Sequence, residues 1–216
     1  MSLATLLVLA DGRLPAGGHA HSGGLEAAVV AGRVRDLDGL AGFLRGRLAT
    51  TGVVTAAFSA VACARTGRWA ELDAGLDART PSPALRRASR AQGRALLRAG
   101  RAMWPGLPAG EPSAPHHPVA LGAVAAAAGL TAADAAVTAA YATVSGPASA
   151  AVRLLGLDPY RVHALLAGLA GECDTVAAQA AALIDEPVDA LPATGAPLLD
   201  VGAELHATWE VRLFAS

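Results

Sequence analysis

From Val119 to Val152 the chain runs for 34 residues with a single charged side chain, Asp134. A membrane span wants roughly 20 strongly apolar residues. This run is mostly Ala, Gly, Thr and Ser, and Pro147 interrupts it, so it reads as buried helix. Alanine is the best helix former but adds little burial per residue, so helices built from it must pack at close range. No apolar alternation is long enough for a strand, and no internal repeat occurs. The expectation is an all-α, single-domain bundle of about eight to ten helices over residues 1–216, long enough to bury a sizeable core.

Local signals place the elements. Residues 2–10 form a short apolar helix, and another runs from Leu25 to Gly32. Asp36 caps a helix in which Leu37, Leu40, Ala41, Leu44 and Leu48 fall at helical spacing. Gly52 separates it from a nearly all-apolar helix, Val53–Ala64. Trp69, Leu72 and Leu76 mark a short helix. Thr80 or Ser82 caps the next, with a proline at its first position. Its buried stripe is Leu85, Ala88, Gln92, Ala95, Leu96 and Ala99, and Arg86, Arg90, Arg94 and Arg98 line another face. Five prolines between Pro105 and Pro118 mark residues 104–118 as a mobile loop. Helices follow over Val119–Ala128 and Ala132–Val144, the latter with a Thr131/Asp134 capping box. Pro147 opens another. Asp158 and Pro159 start the longest, Pro159 to Ile184, and a last one spans Leu199–Glu210.

Composition excludes several chemistries. All 17 basic residues are arginine, which removes a P-loop lysine, Schiff-base chemistry and a lysine base. Aromatics are only 4% and the formal net charge is -1, which argues against nucleic acid as a partner. The charge is uneven: seven arginines and no acid lie between Arg79 and Arg101, while eight acids and one arginine follow from Glu172 onward. That asymmetry suits surfaces for different partners, pairing within a dimer, or solvated helix faces. Cys63 and Cys173 have no CxxC partner and read as buried free thiols. The first residues lack a basic n-region and a cleavage site. The expectation is a cytoplasmic protein with no membrane contact.

Chemistry concentrates in Asp11–Glu26, DGRLPAGGHAHSGGLE, with five glycines, one proline and two histidines in sixteen residues. His19 and His21 can both reach one metal; hydrogen bonding within the loop is the other reading. Ser22 lies outside any G-x-S-x-G elbow, and GxGxxG is absent. Glu26 suits the helix N-terminus as a structural carboxylate. His163 and His206 read as packing residues. No set of three or four metal ligands assembles by spacing, so neither a catalytic residue nor a stably bound cofactor is expected. At the other end, Arg212, Leu213 and Phe214 combine an arginine with an aromatic, as interface hot spots do. They have little chain left with which to fold back.

These residues carry a pattern. Pro15, Gly17, His21, Ser22, Gly24, Leu25 and Glu26 resemble the N-terminal signature of the urease accessory protein UreF family. Ser89 with Gln92-Gly93-Arg94, His117-Pro118-Val119 with Gly122, and Ala151-Val152-Arg153-Leu154 follow in the same order. Asp200, His206, Arg212, Leu213, Phe214 and Ser216 resemble the family's terminus. His19 stands where the family has an aromatic, and Ala207 and Glu210 replace its usual Glu and Tyr.

The resemblance implies an all-helical, dimerising, non-catalytic chaperone for nickel insertion into apo-urease. It would scaffold UreD/UreH and the GTPase UreG and regulate GTP-dependent nickel delivery, with nickel and GTP handled mainly by those partners. The tail 211–216, with His206, Arg212, Leu213 and Phe214, would bind UreD/UreH and become ordered on it. Pro15, Gly17, His19, His21, Ser22, Gly24 and Glu26 would face the GTPase. The alternative is a nickel-binding carrier that uses His19 and His21.

Overall fold

A computed structural model describes residues 3–108 and 112–215. Ser216 of the expected tail and residues 109–111 of the expected Pro-rich loop lie outside the described residues. The α-helices are α1 (Leu3–Ala10), α2 (Leu25–Val30), α3 (Leu37–Arg47), α4 (Val53–Ala64), α5 (Trp69–Arg79), α6 (Pro83–Met103), α7 (His117–Ala127), α8 (Ala132–Leu155), α9 (Pro159–Ala181) and α10 (Pro197–Ala207). Since α3 and α4 are continuous, the described residues make about nine helical rods and no strand. The expected all-α class holds.

The caps form as the sequence predicts. Asp36 Oδ1 accepts the Gly39 N–H at 2.8 Å, and Ser82 Oγ accepts that of Leu85 at 3.1 Å. Thr131 and Asp134 complete a capping box, and Asp158 accepts the Tyr160 N–H at 2.9 Å. Each takes up an N–H that the first helical turn leaves unpaired.

Two expected breaks are absent. Gly52 does not separate two helices: Leu48–Gly52 is a wide π-turn through which α3 runs into α4, and Gly52 itself is helical at φ -62 and ψ -47. Without a proline or an αL residue nothing ends the helix, and one extra residue is absorbed in the turn. The resulting rod, Leu37–Ala64, is long and apolar enough to cross a membrane by length and composition, but most of its apolar window is buried inside the bundle. Likewise Pro147 opens no new helix; it lies buried inside α8. Proline has no N–H for the carbonyl four residues back, here that of Thr143. Arg47 Nε donates to that carbonyl at 3.3 Å instead, while its Nη1 donates to the Gly23 carbonyl. One arginine of α3 thus mends the proline defect and holds the glycine loop. Other boundaries shift by a few residues: α10 starts at Pro197 and ends at Ala207, and α9 stops at Ala181.

The centre is α4, packed against α7, α8 and α9, with α8 also lying along α9. Ala56, Ala57, Ala60, Ala120, Ala135, Ala140, Ala148 and Ala151 are fully enclosed there. Alanine at the contacts lets backbones approach closely, and Gly122 shows the limit: a Cβ there would sit 2.5 Å from the Ser59 carbonyl oxygen of α4. Both cysteines are buried and free. On α6 the fully buried residues are Gly93, Leu96, Leu97, Ala99 and Gly100; the expected Leu85, Ala88 and Gln92 instead border a cavity. The peripheral α2 and α10 pack on each other, which brings the two ends of the chain together.

Candidate partner-docking site

Gly23 and Gly24 have φ of +60 and +87, a region that L side chains enter at a cost. This double turn carries the chain from the loop into α2 and points Glu26 inward. Ser22, fully buried, accepts the Glu26 N–H at 3.2 Å. The Glu26 carboxylate is 5% exposed and serves three donors. Oε1 accepts the Leu213 N–H at 2.8 Å. Oε2 accepts the Phe214 N–H at 3.1 Å and Nε2–H of His206, from α10, at 2.8 Å. A carboxylate that accepts this many donors holds its partners by charge-assisted bonds.

The strap closes from the other side as well. The Ala215 N–H donates to the Ala20 carbonyl at 2.7 Å. The Phe214 ring enters the main core at 5% exposure. The Arg153 guanidinium of α8 lies 4.8 Å above that ring, and its Nη2 donates to the His19 carbonyl at 3.4 Å. Residues 19–26, 206 and 213–215 thus form one clasp.

The clasp corrects one expectation. Phe214 does not project outward: its ring has a pocket within its own chain, because the loop turn and Glu26 give the tail backbone a place to bond. The loop and the tail, expected to face different partners, are joined by hydrogen bonds within the chain. Of the tail, Val211, Arg212 and Leu213 remain outward, with Leu213 70% exposed. His206 is buried as part of the clasp. In the loop Pro15 and His19 are exposed, Gly17 takes a positive φ, and His21 is half-buried. Burial pushes the His21 imidazole below its usual range, and the neighbouring His19 adds to this. Among the described residues no group of three or more His, Cys, Asp or Glu could hold a metal ion.

A second polar cluster was not legible in the sequence. Asp73 Oδ1 accepts the His116 N–H at 2.7 Å, and its Oδ2 accepts Arg90 Nη1 at 2.8 Å. Asp77 accepts Arg90 Nη2 at 2.6 Å and His116 Nε2–H at 2.9 Å. The other His116 nitrogen accepts Ser89 O–H at 3.0 Å, and Ser89 Oγ accepts the His117 N–H. Ser89, His116 and Asp77 are connected like a nucleophile, a base and an acid. However, Asp77 divides its charge between His116 and Arg90, and Ser89 holds the N-terminus of α7. The cluster fastens the end of the Pro-rich loop to α5 and α6. It also takes Arg90 out of the arginine stripe, of which Arg94 and Arg98 stay exposed.

A sequence profile of the UreF family matches residues 34–170. The chain is 51% identical over 216 residues to the urease accessory protein UreF of Mycobacterium sp. (strain JLS), covering 100% of this chain and 99% of that protein. It is 47% identical over 228 residues to the protein of that name from Mycolicibacterium vanbaalenii, and 42% identical over 218 residues to that from Mycobacterium tuberculosis (strain H37Rv). Both matches cover 100% of this chain and 99% of the relative.

Proposed function

This chain belongs to the UreF family of urease accessory proteins, so it takes part in urease maturation, and on that premise we propose that it is a non-catalytic scaffold for nickel delivery. It joins UreD/UreH to the GTPase UreG, acts as a dimer in the cytoplasm, and regulates GTP-dependent nickel transfer to apo-urease. Nickel is cargo and GTP is the partner's substrate.

The observation that carries the reading is the exposed apolar face beside the clasp. Leu198, Val201 and Leu205 of α10 are 64%, 58% and 58% exposed, and Val211 and Leu213 continue the apolar series at 85% and 70%. Apolar side chains exposed together mark a docking surface. Arg212 beside them supplies a fork of donors for a carboxylate or carbonyl of UreD/UreH. The clasp sets the register of this surface, since Glu26 fixes the backbone of Leu213 and the core holds Phe214.

The test is capture of UreD/UreH by the full-length chain, by a deletion of residues 211–216, and by Leu213→Ala. Deletion is expected to abolish capture, and Leu213→Ala to weaken it by about 2 kcal/mol or more, as for a hot-spot side chain. Leu213 is exposed, so its loss leaves the fold intact. Undiminished capture by both variants overturns the assignment of this surface. The alternative nickel carrier rests on His19 lying close enough to His21 to help lower the pKa of the His21 imidazole. Nickel titration of His19→Ala/His21→Ala decides it: unchanged affinity removes the loop as a metal site.

A further inference from the structure

Behind the clasp lies a cavity of 260 Å³, walled by the Gly23–Gly24 turn, the α3–α4 rod, α6, α8 and the start of α10. Two guanidinium groups, Arg47 and Arg79, line it. Among the described residues neither has a carboxylate within ion-pair distance. Their hydrogen-bond partners are carbonyls, and the Arg79 guanidinium also lies 5.2 Å from the centre of the Phe58 ring. Arg47 donates to Gly23 and Thr143, and Arg79 to Gly75, Val188, Leu191 and Pro192.

Carbonyl oxygens satisfy N–H groups but do not cancel a charge, and both guanidinium groups are part-buried, where an unpaired charge is costly. Of the five N–H groups on a guanidinium, those described for Arg47 use Nε and Nη1. Its Nη2 has no hydrogen-bond partner among the described residues. Burial pushes Arg47 down to about 10, which still leaves it charged at neutral pH. Burial holds His117 down at about 4 and His116 below its usual range, so neither adds positive charge at neutral pH. Asp200 is the one carboxylate on this wall and is engaged with the Ser82 N–H at 3.4 Å; burial pushes its carboxyl up. One carboxylate against two guanidinium groups leaves the wall with net positive charge. Thr51, Thr55 and Gln92 add neutral polar groups.

We propose that this cavity is a binding site for a small oxyanion, held between the guanidinium groups of Arg47 and Arg79. The volume suits a free phosphate- or carboxylate-sized ion and falls below the several hundred Å³ typical of pockets for larger ligands. Because Arg47 also holds the Gly23 carbonyl and Gly24 lines the cavity, the bound ion lies directly beneath the turn that presents Glu26.

The test uses the full chain, exchanged into chloride buffer at fixed ionic strength so that general screening is constant. Inorganic phosphate, acetate and a nucleoside triphosphate are titrated by calorimetry. Saturable binding of phosphate or acetate is expected, with Arg47→Gln weakening it at least about tenfold, the factor that corresponds to losing one charge-assisted contact. The exposed-site control Arg94→Gln is expected to bind as wild type. Absence of saturable binding of either small ion, equal affinity in Arg47→Gln, or tighter binding of the triphosphate each overturns the proposal. Arg47 also supports α8, so a second measurement needs no variant. Wild-type protein is treated with phenylglyoxal and its modified peptides are mapped by mass spectrometry. Phosphate is expected to protect Arg47 and leave Arg94 reactive; equal reactivity with and without phosphate overturns the site. No arm involves a partner protein, so its failure leaves the scaffold reading untouched, and the reverse.

Discussion

The molecule holds two carboxylate hubs of similar make-up and different construction. Glu26 and the Asp73/Asp77 pair each take a buried histidine and backbone N–H donors. The Asp pair also binds Arg90, and all its partners lie between residues 73 and 116. Glu26 gathers His206, Leu213 and Phe214, 180 to 188 residues away, with no arginine among the described residues on its carboxylate. The first hub fastens neighbouring helices within the bundle. The second closes the two ends of the chain, at the periphery, through two tail amides and one ring. Such a clasp can open without opening the core, which suits a surface that meets partners; the Asp hub has no such freedom.

The largest expected effect tests that contrast at the Asp hub. Asp73→Ala leaves the His116 N–H without its acceptor and takes one of two carboxylates from Arg90, and about 3 kcal/mol of stability is expected to be lost in urea unfolding. If the loss is no greater than for a change at Glu26, the two hubs are equivalent and the comparison fails. Phe214→Ala comes next, at about 2 kcal/mol. This lies below the usual cost for a buried aromatic, because a terminal strap relaxes by letting go. Glu26→Gln is expected to cost about 1–2 kcal/mol by replacing a charge-assisted acceptor with a neutral amide. It should also make the last residues sensitive to carboxypeptidase while amide exchange in α4 stays protected; loss of α4 protection would show that the clasp is part of the core.

A smaller effect is expected from pH. Burial lowers His117 from 6.5 to about 4 in the folded chain, so the unfolded chain binds the proton first as pH falls. Stability from this group is complete above pH 6.5 and is lost as pH drops through about 4, a change on the order of 1 kcal/mol because the ring borders the cavity. His117→Gln should flatten that part of the stability–pH curve; an unchanged slope removes His117 as its source. The smallest effect is Leu213→Ala, within about 0.5 kcal/mol of wild-type stability as for an exposed residue. A larger loss would mean that Leu213 belongs to the clasp and not to the outer surface.

Much of the fold was legible because it rests on local chemistry. Asp36, Ser82, Thr131 and Asp158 start helices wherever they stand, since the N–H groups they take up lie two or three residues away. The misreadings came where a distant residue overrode a local signal. Pro147 breaks an isolated helix, but Arg47 supplies the donor it lacks. Gly52 reads as a separator, but nothing around it ends the helix. The arginine stripe reads as one face, but Asp73 and Asp77 of another helix claim Arg90. At the candidate site, Glu26, His206, Leu213 and Phe214 were all visible as residues of interest. That they belong together was not, because no periodicity spans 180 residues.

The sequence by itself determined that this chain is a bundle of closely packed alanine-rich helices without lysine chemistry, because helix propensity and capping act over a few residues. Only the tertiary structure decided that the tail buries Phe214 and presents Leu213, and that Arg47 and Arg79 line one cavity. Those outcomes depend on which helices lie side by side, and a burial or a charge has no partner until the chain has closed around it.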